Sequence, residues 1–110
     1  MKAFQLGEFE EIVLLTVGVL YDEAYGLAIK DYIEKEIGRS VSVGALQSAL
    51  RRMEKKGFLE SRTGSPDALR GGKPKRFFTI TAYGKKAIDY NQDLRAKLYH
   101  AIPKLAFKSP

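Results

Sequence analysis

Residues 41–57 read VSVGALQSALRRMEKKG, and few folds suit both this stretch and the residues behind it. Wound as an α-helix behind Ser42, it gathers Leu46, Ala49, Leu50 and Met53 into one stripe. Gln47, Ser48, Arg51, Arg52 and Lys55 turn to the other side. One face packs, and the other is left to meet something anionic. FLESRT comes next, then a basic loop rich in glycine and proline, then KRFFTIT, which alternates as a strand does.

Upstream, residues 7–20 place Phe9, Ile12, Val13, Val17 and Leu20 at helical spacing, with Glu8, Glu10 and Glu11 near the positive end of the helix dipole. Leu14, Leu15 and Val19 widen the apolar band, so this helix is expected to be covered on two sides, either by the core alone or by the core and a partner chain. A second helix opens at Ala24-Tyr25-Gly26 and runs to about Ile37, with the acids of both helices expected to face solvent. Gly38 stands where a helix-terminating glycine belongs. Only Arg39, Ser40 and Val41 then separate it from Ser42, the expected N-cap of the third helix. So short a connection crosses the two helices as in a helix-turn-helix, and the hairpin behind them supplies a wing.

The hairpin is read as strands over 58–63 and 75–81 joined by a loop over 64–74. Arg70 and Lys73 lie at the loop's tip, and Arg62, Lys75 and Arg76 at its base. Gly71-Gly72 lacks the Lys-Ser/Thr spacing of a nucleotide-binding loop, and a basic wing on a sugar-phosphate backbone accounts for it better. Thr81 caps a last helix in which Ala87, Leu94, Leu98, Ala101, Ile102 and Leu105 recur at steps of three and four, Asn91 filling one slot. That spacing is a short seam of coiled-coil type in which a polar residue can set register; it suits an identical helix of a second copy, and packing against its own domain is the competing reading. Pro103 ends or kinks the helix. The fold class expected is mainly α with a small β-hairpin: a winged helix-turn-helix over 1–81 and a C-terminal dimerisation helix over 82–110.

The net charge of +6 is unevenly spread: residues 1–38 hold three basic and eight acidic side chains, the remainder sixteen and five. The sign changes where the third helix begins, as when one face neutralises phosphates. Gln47 suits an adenine edge and Arg51 a guanine or a phosphate, while Arg52 suits a local ion pair equally well. Ser42, Gly44 and Ser48 complete the expected contact surface. Gly44 and Ala45 either admit a duplex closely or pack on the second helix. Other classes find little support. The chain has no cysteine, so neither a disulfide framework nor a thiolate metal site is available. Its one histidine, His100, has no companions at metal-ligand spacing. No nucleophile elbow, signal segment or membrane-length apolar run is present. No enzyme activity, cofactor, metal or membrane is expected, and the cytoplasm is the default address.

LGEFEEIVLLTV, EAYGLAI, GRSVSVGALQSALRRMEKKGFLESR and GGKPKRFFTITAYGKKAI, taken in order, resemble the PadR family of bacterial transcriptional regulators. The resemblance covers residues 6–88, about three quarters of the chain. It implies a winged helix-turn-helix that binds double-stranded DNA at a palindromic operator as a homodimer, usually as a repressor relieved by a small-molecule effector, here unidentified. Phe9, Leu94, Leu98, Ala101, Ile102 and Leu105 are the expected dimer interface. Where the family commonly carries a tyrosine after GAL, this chain has Gln47, so the operator sequence does not transfer from relatives. Tryptophan, prominent in certain effector pockets of the family, is absent. The competing function is a winged-helix protein interaction module with its basic face on an acidic partner. RNA binding is a weaker third, since no aromatic stacking platform is evident.

Overall fold

The computed structural model of the chain describes residues 2–66 and 74–107. Its elements are α1 (Glu8–Leu20), α2 (Gly26–Tyr32), α3 (Val43–Lys55), β1 (Leu59–Pro66), β2 (Pro74–Ile80) and α4 (Ala82–Ala101), with short 3-10 turns at Lys2–Phe4, Tyr21–Glu23 and Lys104–Ala106. The architecture is the expected one, helices with one antiparallel hairpin. Two boundaries differ from the sequence reading. The second helix is α-helical only to Tyr32 and winds more loosely, as a π turn, over Ile33–Ile37. The first strand runs to Pro66 rather than ending near 63, because Leu59 to Thr63 pair regularly with Ile80 to Arg76 and an irregularity then carries the pairing to Pro66 and Pro74.

The core forms where the apolar stripes of the helices meet the hairpin. Val13, Leu14 and Val17 of α1, Ile29 of α2, Leu46, Ala49, Leu50 and Met53 of α3, Phe58 and Leu59, Phe78 of β2 and Ala87 of α4 are all buried in one cluster. The stripe read from residues 41–57 is thus the stripe that packs. Removing this apolar surface from water is the main force that orients α3.

Polar groups fix the joints. Gly38 takes the left-handed conformation at φ 71° and ψ 26°, which a side chain would resist. Glu34 then holds the turn into α3 by accepting the Val41 amide at 3.1 Å and the Lys30 ammonium at 3.0 Å. The Val41 amide, with the Lys30 bond behind it, keeps the Glu34 carboxyl below its ordinary range. At the other end the Thr81 hydroxyl donates to the Gly57 carbonyl at 2.5 Å and accepts the Gly84 amide at 2.9 Å, capping α4 as its position suggests. Gly84 permits this joint, since a Cβ there would lie 2.1 Å from the Phe58 carbonyl oxygen. α4 ends at Ala101, with Ile102 extended ahead of Pro103, as proline requires of its predecessor.

Candidate nucleic-acid interface

Ser42 opens α3 by accepting the Ala45 amide at 3.1 Å, so the helix begins with its first turn at the surface. Ser42, Val43, Gly44, Gln47, Ser48, Arg51 and Lys55 are all exposed along one side. A Cβ built on Gly44 meets nothing within 4 Å. Packing against α2 therefore does not explain this glycine; open space in front of the helix does.

The four clustered cations of α3 and its cap divide into two pairs. Arg52 Nε donates to Glu10 at 2.9 Å, and Lys56 Nζ lies 3.6 Å from the same carboxylate. Glu10 also accepts the Gly7 amide at 3.1 Å. Burial alone would raise the Glu10 carboxyl, but the bonds from Arg52 and Gly7 and the field of Lys56 outweigh it and hold the group below 4.5. Arg51 and Lys55 make no ion pair or hydrogen bond among the described residues. Glu10 thus neutralises the side of α3 next to α1, and the outward side keeps its charge. The expectation that the first-helix acids face solvent is corrected for two of them. Glu10 and Glu11 are buried, at 7% and 6% exposure, because each has a cationic partner on another helix.

Gln47 lines a groove between α3, the start of α2 and β2, together with Tyr25, Leu27, Lys75, Arg76 and Phe78. Its amide reaches the start of α2, where Nε2 is 3.5 Å from a Cβ built on Gly26. The wall formed by the hairpin is stitched to the α2 start. The Phe78 amide donates to the Ala24 carbonyl at 2.8 Å, and the Tyr25 and Phe77 rings meet edge to face at 5.6 Å. Lys75 Nζ sits 4.1 Å over the Tyr25 ring and the Arg62 guanidinium 4.8 Å over Phe77, so aromatic faces orient the two cations.

Arg76 is held more firmly than its place at the wing base suggests. Its Nε donates to the Ser61 hydroxyl at 3.0 Å and its Nη2 to Glu54 at 3.1 and 3.2 Å. Ser61 in turn donates to Glu54 at 2.5 Å. That hydroxyl, more than Arg76, keeps the Glu54 carboxyl low despite some opposing burial. Arg70 and Lys73, the expected tip contacts, lie outside the described residues. Tyr25 and Leu27 line the groove without having been singled out by sequence. The hint available was Ala-Tyr-Gly at the opening of α2, where an aromatic beside a glycine faces the wing.

The expected dimer seam divides along its length. Ala87 and Asn91 are buried in their own chain, and Asn91 Nδ2 donates to the carbonyls of Phe4 at 2.8 Å and Ala87 at 2.7 Å. Asn91 therefore anchors the N-terminal segment, and its placement in an intermolecular seam is corrected: the polar group that a seam would have used for register is consumed at home. From residue 92 to 107 every side chain is exposed. Leu94, Leu98, Ala101, Ile102 and Leu105 line the outer part, Leu98 at 63% and Leu105 at 94% exposure. Phe9 is only half-buried, packed against the core with the Arg39 guanidinium 5.4 Å over its ring.

Among the described residues no group of three or more His, Cys, Asp or Glu side chains could hold a metal ion. No described helix is long and apolar enough to cross a membrane. His100 stands edge-on to Tyr99 at 5.5 Å on the exposed part of α4.

The family described as "Transcriptional regulator PadR-like family" matches residues 14–90. Among solved structures, a PadR family transcriptional regulator from Eggerthella lenta DSM 2243 superimposes with a TM-score of 0.69 at 23% identity, covering 93% of this chain and 88% of that one. A PadR family transcription regulator from Clostridium difficile R20291 gives 0.64 at 22%, covering 87% and 98%. The complex structure of hsRosR-S4 gives 0.68 at 25%, covering 92% and 80%. No curated protein matches the chain.

Proposed function

Since the chain belongs to the PadR-like family of transcriptional regulators, we propose that it represses transcription by binding a palindromic operator as a homodimer, each α3 lying in the major groove of one half-site. DNA-binding regulation is the business of the family, and its members are regulators rather than enzymes. The observation that carries the finer reading is the division of cations on α3: Arg52 and Lys56 are spent on Glu10, while Arg51 projects from the same side as Gln47 and Ser48. An unneutralised cation beside an amide and a hydroxyl suits base edges and phosphates together.

In this reading Gln47, Ser48 and Arg51 meet base edges, and Ser42 and Gly44 let the helix end approach the duplex. Lys75 and Arg76, with Arg70 and Lys73 of the loop, lie along the sugar-phosphate backbone. Arg52 serves mainly to seat the helix. Leu94, Leu98, Ala101, Ile102 and Leu105 form the dimer contact, because a bare apolar row on a projecting helix is best covered by an identical row. Phe9, the remaining residue of the expected interface, lies beneath Arg39 beside the start of α3. Of the expected division into a DNA-binding unit over 1–81 and a dimerisation helix over 82–110, the dimer contact in this reading begins beyond Asn91, since α4 up to that residue packs on its own domain. A dimer bound across a promoter would repress by excluding polymerase, and an effector would act by changing how the two copies meet.

Titrating the purified chain onto duplex from upstream of its own gene at several salt concentrations tests this reading. Affinity should fall steeply with salt, by about a thousandfold between 50 and 200 mM if some six phosphates are neutralised. Weak, equal binding to every duplex would instead favour an acidic protein as partner.

A further inference from the structure

α1 carries two consecutive buried carboxylates that bond to different helices. Glu10 takes Arg52 of α3 at 2.9 Å. Glu11 takes Arg95 of α4 at 2.7 Å, with Gln92 at 3.4 Å. Consecutive helical residues point about 100° apart, so one turn of α1 is tied to both helices at once. The two carboxylate side chains are 10% and 8% exposed. A carboxylate so placed is costly without its cation, and although both arginines are about half-exposed, the buried oxygen end makes each bridge a directional restraint.

The second bridge also falls where α4 leaves the domain. Asn91 is the last buried side chain of α4, and Arg95 stands one turn beyond it. The direction in which the exposed apolar row projects therefore depends on the Asn91 bond to Phe4 and on the Arg95 bond to Glu11.

We infer that Glu10 and Glu11 form a yoke fixing the angle between α3 and α4, and thereby the separation of half-sites that a dimer accepts. This rests on the homodimer reading above. In a two-fold dimer joined through α4, any change in that angle moves both copies of α3 relative to the axis. One added base pair shifts the far half-site by about 3.4 Å and about 34° around the duplex, so a stiff yoke rejects it and a slack one follows it. Glu11 and Arg95 are then positioning residues that touch no DNA.

The test uses the full chain and duplexes built from its footprinted upstream site, with the spacer changed by one or two base pairs, and a duplex with one half-site. Wild type, Glu11→Gln, Arg95→Met and Arg95→Lys are compared, with sedimentation reporting assembly. Wild type should lose about tenfold in affinity for a one-base-pair change, comparable to a mismatched base. Glu11→Gln and Arg95→Met should bind all spacers within about threefold of one another, while keeping the wild-type penalty for a base change inside a half-site. Arg95→Lys should restore the spacing preference. Retention of that preference by both uncharged variants overturns the inference, as does their conversion to monomers, which would make the bridge part of assembly. A wild type indifferent to spacing, or content with one half-site, overturns the dimeric reading itself and is visible before any substitution.

Discussion

α3 and the outer part of α4 are both helices with a bare face, and the two faces differ in what they lack. α3 buries Leu46, Ala49, Leu50 and Met53 and leaves outside Gln47, Ser48 and Arg51, groups that water already satisfies. α4 beyond Asn91 leaves Leu94, Leu98, Ile102 and Leu105 in water, which costs free energy until something covers them. Burying a leucine yields about 1.5–3 kcal/mol, so the α4 row is a demand for a partner. The α3 face makes no such demand; its draw is charge, which acts only when a polyanion releases its counterions. On the proposed function, assembly through one face and recognition through the other are separable, and substitutions on each should fail differently.

Leu98→Asp should have the largest effect. A charge in the middle of the apolar row should abolish the dimer in sedimentation and weaken binding to a two-half-site duplex by about a hundredfold or more, since the second half-site no longer adds its share of contact. The helical circular dichroism should persist, because Leu98 contributes nothing to its own domain's core. An intact dimer in this variant would mean that α4 is not the contact.

The adjacent arginines come next. Arg51→Ala should lower affinity for the specific duplex by about 5- to 150-fold, the worth of a good base contact of roughly 1–3 kcal/mol, with unfolding unchanged. Arg52→Ala should do the reverse, leaving Glu10 buried without its closest cation and lowering stability by about 1–2 kcal/mol, less than for a fully buried pair because Arg52 is half-exposed. If both variants damaged binding alone, the division of cations would be wrong.

Much of this arrangement was legible in the residues. The core stripe of α3, the Ser42 and Thr81 caps, the Gly38 turn and the alternation of β2 follow from spacing and local chemistry, and all are as expected. The pairing of charges was not legible. Glu10 with Arg52 joins positions 42 apart and Glu11 with Arg95 positions 84 apart, so no local pattern distinguishes them from the surface acids beside them. Asn91 misled for a related reason. Its spacing continues the apolar row, but the carbonyl that satisfies it belongs to Phe4, 87 positions away. Tyr25 entered the groove only because a bridge to Phe77 sets the α2 start against the hairpin.

A smaller effect sharpens the contrast on α3 itself. Gly44→Ala fills open space in the protein alone and replaces a poor helix former, so thermal stability should rise, by about 0.5 kcal/mol. Affinity for the specific duplex should nonetheless fall, by roughly fivefold if the helix end approaches the backbone closely. Improvement of both would move the duplex away from this end.

The smallest effect concerns acid. Glu10 and Glu54 both titrate below their ordinary 4.5 in the folded chain, so between those folded values and 4.5 the unfolded chain binds more protons. Their contribution is complete above 4.5 and is lost as pH falls through the folded values. Chemical denaturation from pH 6 to pH 3 should show the midpoint declining below 4.5, and Glu10→Gln should flatten that decline.

Hydroxyl-radical footprinting of the region upstream of the chain's own gene, with wild type beside Arg51→Ala and Arg52→Ala at matched folded concentration, tests most directly whether the outward face of α3 reads DNA. Two protected stretches about one helical turn apart, lost with Arg51→Ala and kept with Arg52→Ala, are the predicted result. Protection that survives Arg51→Ala unchanged, or no protection at low salt by the wild type, would contradict it.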